Sequence, residues 1–235
     1  MEEMLCGMDS QMVSWEMKDI KMYYEYCNYN SQKILNTKDE MKKVFNMIDR
    51  GLNGFCTDVF QMREIAQFLP EGFVLAGSID YPLGKSDRKI RQHEALTLLK
   101  SGANAIDLMC HRHYLMHSDW VPLKVDIECI REICKDYNAT LRMIINWQDD
   151  KNAEVVVQIV KLLRDYGIDF LIPSPAYHND DFTDNLIMSH VIQADTGVQT
   201  ICNGYLYLDK HLEQLGKADV FGFRFYPSNY KMVYK

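Results

Sequence analysis

The sequence has no long apolar run, no basic surplus and no secretory signal. A membrane-spanning helix needs about 20 predominantly apolar residues, and no such stretch occurs, so no membrane span is expected. The first residues, MEEMLCGMDSQMVSWEM, are acidic and interrupted by polar side chains, unlike a signal peptide. The 26 Lys and Arg are outnumbered by 33 Asp and Glu, which argues against binding to a nucleic-acid backbone.

No CxxC pair occurs, although the chain has seven cysteines. Their number is odd and their positions are scattered, which does not favour a disulfide framework. Without a secretory signal, we expect reduced and mostly buried thiols in a cytoplasmic protein. The cysteines are Cys6, Cys27, Cys56, Cys110, Cys129, Cys134 and Cys202.

The chain also lacks low-complexity segments, Gly/Ser or Pro-rich linkers and visible internal repeats. We therefore expect a single domain over residues 1–235, with an N-terminal extension at 1–20, a barrel at about 21–226 and a short C-terminal tail. A chain of 235 residues can bury a core large enough to need neither disulfides nor a metal.

Short apolar runs alternate with stretches of helical period throughout the chain. Strands are predicted at 21–29, 54–60, 73–79, 104–110, 140–147, 169–174, 198–202 and 218–225. Helices are predicted at 38–50, 61–69, 86–101, 119–136, 151–166, 183–196 and 208–216. In the helix at 86–101 we expect Ser86 to be the N-cap and Ile90, Leu96 and Leu99 to face inward.

This alternation requires parallel strands joined by right-handed crossovers. Eight such units predict an α/β fold, a single-domain (β/α)8 TIM barrel. A doubly wound open sheet is the competing arrangement. Its dinucleotide-binding version is weakened because no G-x-G-x-x-G follows the first strand.

An ordered series of short segments resembles class I deoxyribose-phosphate aldolases. The longest is LAGSIDYPLGKSDRKIRQHEALTLLKSGANAIDLM at 75–109, which contains a YPLG turn, a helical Glu-Ala pair and a strand that begins GANAID. The others are LRMIIN at 141–146, GIDFLIPS at 167–174, TICNGYLYLDKHLEQL at 200–215 and VFGF at 220–223. The resemblance implies a TIM barrel, in agreement with the alternation.

The resemblance also implies a reaction, the reversible cleavage of 2-deoxyribose 5-phosphate to acetaldehyde and glyceraldehyde 3-phosphate. A family lysine forms a Schiff base with the substrate, and a second lysine helps to lower the pKa of the first. Here Ile172 occupies the position of the nucleophile and Thr200 that of the second lysine. Isoleucine cannot form an imine. Because no lysine occurs from 162 to 209, a one-residue error in register would not change this.

The phosphate-binding positions of the family are also altered. Ala176 and Tyr177 replace a glycine and a lysine, and Gly204 remains beside Asn203 where the family has two glycines. Ser174 matches the family strand, and it is counted with Asn203, Gly204 and Arg224 as a candidate ligand contact. Arg224 replaces a serine, and its guanidinium can either bind an anion or pair with a barrel carboxylate.

Three candidate catalytic residues match the family by position. Asp107 lies where the family has a carboxylate that moves protons, Arg142 replaces a lysine, and Cys56 matches a cysteine. Asp107 and Arg142 each lie at the third or fourth position of a predicted strand, so both side chains can point into the barrel. They are then either a buried ion pair or part of a reacting site.

The segment CHRHYLMH at 110–117 brings a cysteine and three histidines close together. Such residues are first-choice zinc ligands, but spacing alone does not supply the fixed geometry of a site. A polar loop is the favoured interpretation, and we expect no metal and no other cofactor. Because the loop follows a barrel strand, His111 and His113 are candidate ligand contacts.

Three functions remain open from the sequence. The first is an aldolase-like protein without Schiff-base activity that retains a barrel-mouth pocket for a small sugar-phosphate-like or anionic ligand. The second is a divergent lyase that uses Asp107, His111 or His113, and Arg142 or Arg224. The third is a non-catalytic regulatory or interface paralogue, with a homodimer as one form, since the 14 Tyr and 14 Met belong to types enriched at interfaces.

Overall fold

Eight parallel strands form the centre of the molecule. The computed structural model describes residues 20–25, 37–149, 152–176, 181–226 and 229–233. The strands are Lys21–Glu25 (β1), Gly54–Cys56 (β2), Val74–Ile79 (β3), Ala105–Met109 (β4), Thr140–Ile144 (β5), Phe170–Ile172 (β6), Ile201–Asn203 (β7) and Gly222–Phe225 (β8).

Helices follow the strands along the chain and surround them. They are Thr37–Ile48 (α1), Val59–Ile65 (α2), Arg88–Lys100 (α3), Arg112–Met116 (α4), Trp120–Asp136 (α5), Ala153–Asp165 (α6), Phe182–Thr196 (α7), Asp209–Lys217 (α8) and Tyr230–Val233 (α9). Single 3-10 turns occur at Ala66–Phe68 and Trp147–Asp149.

The strands close into a ring. They hydrogen-bond in the order β6-β5-β4-β3-β2-β1-β8-β7. The two ends of this row meet through a parallel bridge between Leu171 and Thr200, with Leu171 N donating to Gln199 O at 3.0 Å. The predicted single-domain (β/α)8 barrel is confirmed, and the open doubly wound sheet is excluded.

Side chains inside the ring form layers. In a barrel of this type, alternate strands contribute the four side chains of each layer. The register places one residue from each even-numbered strand in what we call the middle layer: Cys56, Asp107, Ile172 and Arg224. The odd-numbered strands supply the lower layer: Tyr23, Ala76, Arg142 and Ile201. These two layers lie where a family active site is expected.

The opposite faces of the strands form the larger apolar core against the helices. Residues such as Ile106, Leu141, Met143 and Phe223 are fully buried there. Each such side chain contributes about 1.5–3 kcal/mol on burial. This outer core keeps the strands in register and thereby fixes which residues face the lumen.

Two predicted boundaries in the first half of the chain are wrong. The strand predicted at 54–60 ends at Cys56, because the Asp58 carboxylate accepts hydrogen bonds from the backbone N–H of Phe60 (2.8 Å) and Gln61 (3.1 Å) and starts α2. Asp87 caps α3 instead of Ser86, with the Lys89 N–H donating to it at 2.9 Å.

Some other elements differ in length or position from the prediction, and one observed helix was not predicted. The strands predicted at 140–147 and 218–225 are shorter, the strand predicted at 198–202 is displaced to 201–203, and the predicted loop after β4 contains α4. Residues 26–29 of the first predicted strand lie outside the described residues. The same is true of the N-terminal extension, except for Ile20.

Candidate active site

Asp107 is the centre of a charged group inside the barrel. Its Oδ1 accepts a hydrogen bond from Arg142 Nε at 2.5 Å, and its Oδ2 accepts one from Arg224 Nη2. Cys56 Sγ lies 3.6 Å from the same Oδ2. None of the three charged side chains is more than 3% exposed. We call Cys56, Asp107, Arg142 and Arg224 the lumen network.

Arg224 reaches Asp107 from the opposite wall. In a ring of eight strands, β8 lies diametrically across from β4, so the Arg224 side chain crosses the lumen at the height of the middle layer. The sequence left two possibilities for Arg224, anion binding or pairing with a barrel carboxylate. The structure shows the pairing.

The two guanidinium groups decide the charge of Asp107. Burial would raise the pKa of this carboxyl, but the positive charges and hydrogen bonds of Arg142 and Arg224 outweigh burial and hold its pKa below the ordinary value. Asp107 is therefore ionised at neutral pH. The Tyr23 ring lies 5.3 Å from the Arg142 guanidinium carbon, and burial raises the pKa of Tyr23, so its hydroxyl is neutral.

The residue predicted at the position of the family nucleophile is apolar. Ile172 is fully buried and packs in one cluster with Tyr23, Met109, Ile144 and Ile201. This cluster lies inside the barrel beside the lumen network. It offers hydrocarbon surface to a ligand and no nucleophile.

Thr200 lies elsewhere than its predicted role requires. Its hydroxyl donates to Ser189 O at 3.1 Å and lies 3.3 Å from Gln193 Oε1, and both partners belong to α7. The side chain therefore faces the helix layer and not the lumen. Ile201, the next residue, faces the lumen.

The predicted phosphate-binding residues bond to one another. Asn203 Nδ2 donates to Ser174 O, and Ser174 Oγ accepts from Ala176 N at 2.9 Å. The Tyr81 hydroxyl donates to Pro175 O, so it connects the loop after β3 to the loop after β6 across the mouth. These contacts close the loops over the interior. Tyr177 lies outside the described residues.

Gly204 is required by its surroundings. Its φ is +153°, and an added Cβ would lie 3.4 Å from Phe182 Cα, at the start of α7. A larger residue would strain the backbone at this point. The glycine therefore permits this backbone conformation in the loop after β7.

His111 and His113 lie on or beside α4, outside the ring. The His111 ring stacks on Tyr114 with centroids 3.9 Å apart, and the His113 ring lies 4.4 Å from that of His117. Their ring contacts are thus with α4 neighbours and not with the lumen network. In the part of the chain that the structure describes, no group of three or more His, Cys, Asp or Glu side chains is placed to hold a metal.

The described cysteines are free thiols. Four of the five are buried, namely Cys56, Cys110, Cys134 and Cys202, and Cys129 is half-buried. Burial raises the pKa of Cys110, Cys134 and Cys202 to about 12, so these thiols stay protonated. No helix within the described ranges is long and apolar enough to cross a membrane.

The sequence interpretation did not single out Tyr23 or Tyr81 as members of this site. Tyr23 lies on the weakest predicted strand, and Tyr81 was noted only as part of a turn. A signal for Tyr81 was present, since residues that follow a barrel strand line the mouth.

Known proteins similar in sequence to this chain are deoxyribose-phosphate aldolases. Over 181 residues, the sequence is 23% identical to the deoxyribose-phosphate aldolase of Thermococcus gammatolerans, covering 74% of this chain and 80% of that one. The aldolase of Aciduliprofundum boonei is 21% identical over 185 residues, with 77% and 83% covered. The sequence thus resembles deoxyribose-phosphate aldolases over about three quarters of its length. No family model matches the sequence.

Solved structures of aldolases have the same fold. An aldolase named QR15 superposes with a TM-score of 0.74 at 14% identity, covering 91% of this chain and 92% of the other. The deoxyribose phosphate aldolase of Aeropyrum pernix, described as a tetramer, gives a TM-score of 0.70 at 16% identity, with 91% and 86% covered. The family resemblance predicted from the sequence is confirmed, and this aldolase relative is a divergent one.

Proposed function

We propose that this member of the deoxyribose-phosphate aldolase family has no Schiff-base aldolase activity and binds a small sugar-phosphate-like or anionic ligand at the barrel mouth. One observation carries the first part. Ile172, which the sequence resemblance aligns with the nucleophile, lies in the middle layer, and Arg224 crosses the lumen at the same height. With this alignment the reaction lacks its amine.

The proposed ligand binding depends on residues at the mouth of the barrel. Ser174, Asn203 and Gly204 lie at the carboxyl ends of β6 and β7, where TIM-barrel ligands bind. Arg142 Nη1 and Asn203 Oδ1 are buried and have no hydrogen-bond partner among the described residues. Buried polar atoms are normally satisfied, so these two atoms support a bound polar group.

The divergent lyase is the less supported alternative. It needs a general base near the lumen network, and the ring contacts of His111 and His113 lie on α4. Asp107 remains available by position, but two guanidinium groups already occupy both of its oxygens. A base held in this way is a poor proton acceptor because its pKa is depressed.

Borohydride trapping tests the loss of imine chemistry. After incubation with 2-deoxyribose 5-phosphate and sodium borohydride, we expect the intact mass of the protein to stay unchanged, because neither the middle nor the lower layer contains a lysine. The aldolase of T. gammatolerans, treated in the same way, serves as the positive control and should gain the mass of the reduced adduct. An adduct on any lysine of this chain would refute the proposal.

We also propose that the chain self-associates and functions in the cytoplasm, with no nucleic-acid partner. The tetrameric relative from A. pernix and the free thiols support these points. Light scattering coupled to size exclusion should give a mass of at least 55 kDa, twice the chain mass of 27.5 kDa. A single peak at the chain mass across micromolar concentrations would contradict self-association.

A further inference from the structure

A large cavity lies beside the lumen network and shares Tyr81 with the mouth, but its walls do not include Ser174, Asn203 or Gly204. It has a volume of about 820 Å³ and lies at the carboxyl ends of β2 and β3, between α2 and α3. Its walls come from the turn at 57–59, the segment at 78–86 and the face of α3. Small-molecule sites have volumes of roughly 300–1,000 Å³, so this cavity is of ligand size.

The lining combines hydroxyl groups and carboxylates with apolar surface. Among the described lining residues, His93 is the one basic side chain, against three carboxylates, and there is no lysine or arginine. The polar residues that matter for the argument are Thr57, Asp58, Ser78, Asp80, Glu94 and Thr97. Carboxylates accept hydrogen bonds from hydroxyl groups and repel phosphates at short range. The lining therefore favours a neutral ligand rich in hydroxyl groups over a phosphorylated one.

Glu94 is the carboxylate best placed for a ligand. Asp58 is already used as the cap of α2, and Asp80 accepts from the backbone N–H and the hydroxyl of Ser86, both at 2.9 Å. Glu94 accepts from Asp80 N at 3.1 Å through Oε2, and its Oε1 accepts no hydrogen bond from the described residues. Burial raises the pKa of Glu94, as expected for a carboxyl withdrawn from bulk water.

The inner end of the cavity reaches the lumen network. Ser78 lines the cavity, and its hydroxyl lies 3.6 Å from Cys56 Sγ. Cys56 in turn contacts Asp107. Ser78 thus separates a ligand in the cavity from Cys56, the nearest member of the lumen network.

We propose that this cavity binds an unphosphorylated sugar or a similar neutral polyhydroxylated molecule, with Glu94 as the main acceptor for its hydroxyl groups. This site is distinct from the proposed mouth site at Ser174 and Asn203. The inference therefore does not depend on the proposed function.

Calorimetric titration with 2-deoxyribose, the probe for this site, tests the proposal. We expect wild-type protein to bind the sugar and Glu94→Gln to bind it roughly tenfold more weakly, the effect of losing a hydrogen bond to a charged group. Thr97→Phe should abolish binding because the ring enters the cavity beside Glu94, its i−3 neighbour on α3. Glu128→Gln, on the exposed face of α5, should bind like wild type.

Three results would overturn the proposal: no binding of 2-deoxyribose to wild type, binding that survives Thr97→Phe in protein of unchanged thermal stability, or binding lost only in Asn203→Ala. The last would place the sugar at the mouth. Titration with 2-deoxyribose 5-phosphate separates the two sites, because Thr97→Phe should leave its mouth binding unchanged. The borohydride experiment tests the proposed function independently of these results.

Discussion

Asp107→Asn should lower the free energy of unfolding by about 3–5 kcal/mol, the usual cost of removing one partner from a buried charge pair. Asparagine has nearly the same shape as aspartate, so packing is retained. Two guanidinium groups, each no more than 3% exposed, would then share a neutral amide. Since single domains are stable by about 5–15 kcal/mol, this loss is a large part of the total.

Denaturant unfolding at pH 7 measures this loss, with Glu128→Gln as the matched control. That substitution also breaks an ion pair, but Glu128 and Lys124 are 46% and 51% exposed, so a change below about 1 kcal/mol is expected. If Asp107→Asn loses no more than the control, the lumen network does not stabilise the barrel.

A second substitution isolates the charge effect. Arg224→Met in the Asp107→Asn background should recover part of the stability, because one of the two uncompensated charges is removed.

The pH dependence of the unfolding free energy tests the same contribution of the Asp107 charge. The pKa of Asp107 is depressed in the folded state, so its contribution is present above the unfolded pKa and disappears as the pH falls through the folded value. The difference between wild type and Asp107→Asn should shrink accordingly in acid.

The barrel could be predicted from the sequence, but the direction of individual side chains could not always be. Alternating strands and helices require parallel strands, and eight of them suggest closure. Parallel strands are buried on both faces, so their sequences do not alternate between polar and apolar residues. In TICN at 200–203 nothing in the pattern shows which residues face the lumen. The structure places the Thr200 side chain against α7 and that of Ile201 in the lumen.

The lumen network was only partly visible in the sequence. Asp107 and Arg142 occupy matching positions on neighbouring strands, and their pairing was one of two open interpretations. The contact of Arg224 with Asp107 joins residues 117 apart in sequence, on opposite walls of the ring. Such a contact depends on ring closure and on the lengths of the side chains. Pattern analysis of single segments does not contain this information.

In helix α3 the sequence pattern also predicts the wrong direction for a side chain. Its pattern placed Ile90 inward, yet Ile90 is 54% exposed and its neighbour Arg91 is fully buried. Hydrophobicity alone predicts the opposite order. Arg91 is buried because Asp80, Asp126 and a strand carbonyl lie beneath it, and partners of this kind compensate the cost of burying a charge.

Arg91→Met should therefore destabilise the protein by about 3 kcal/mol, although methionine is a better helix-core residue by composition. Arg91 Nη1 lies 3.3 Å from Asp126 Oδ2 and 3.6 Å from Asp80 Oδ2, and Nη2 donates to Met109 O at 2.5 Å. Without the guanidinium, the buried Asp126 carboxylate loses its closest cation. The end of β4, two residues after Asp107, loses its tether.

Arg88→Met, on the same helix, is the control for this prediction. Arg88 is 33% exposed and lies 3.8 Å from Asp126 Oδ1, so a loss below about 1 kcal/mol is expected. The double substitution Arg91→Met with Asp126→Leu should return most of the stability, because replacing both members of a buried pair by apolar residues is often neutral. Equal losses for Arg88→Met and Arg91→Met would show that burial, which distinguishes these two arginines, does not set the strength of the pair.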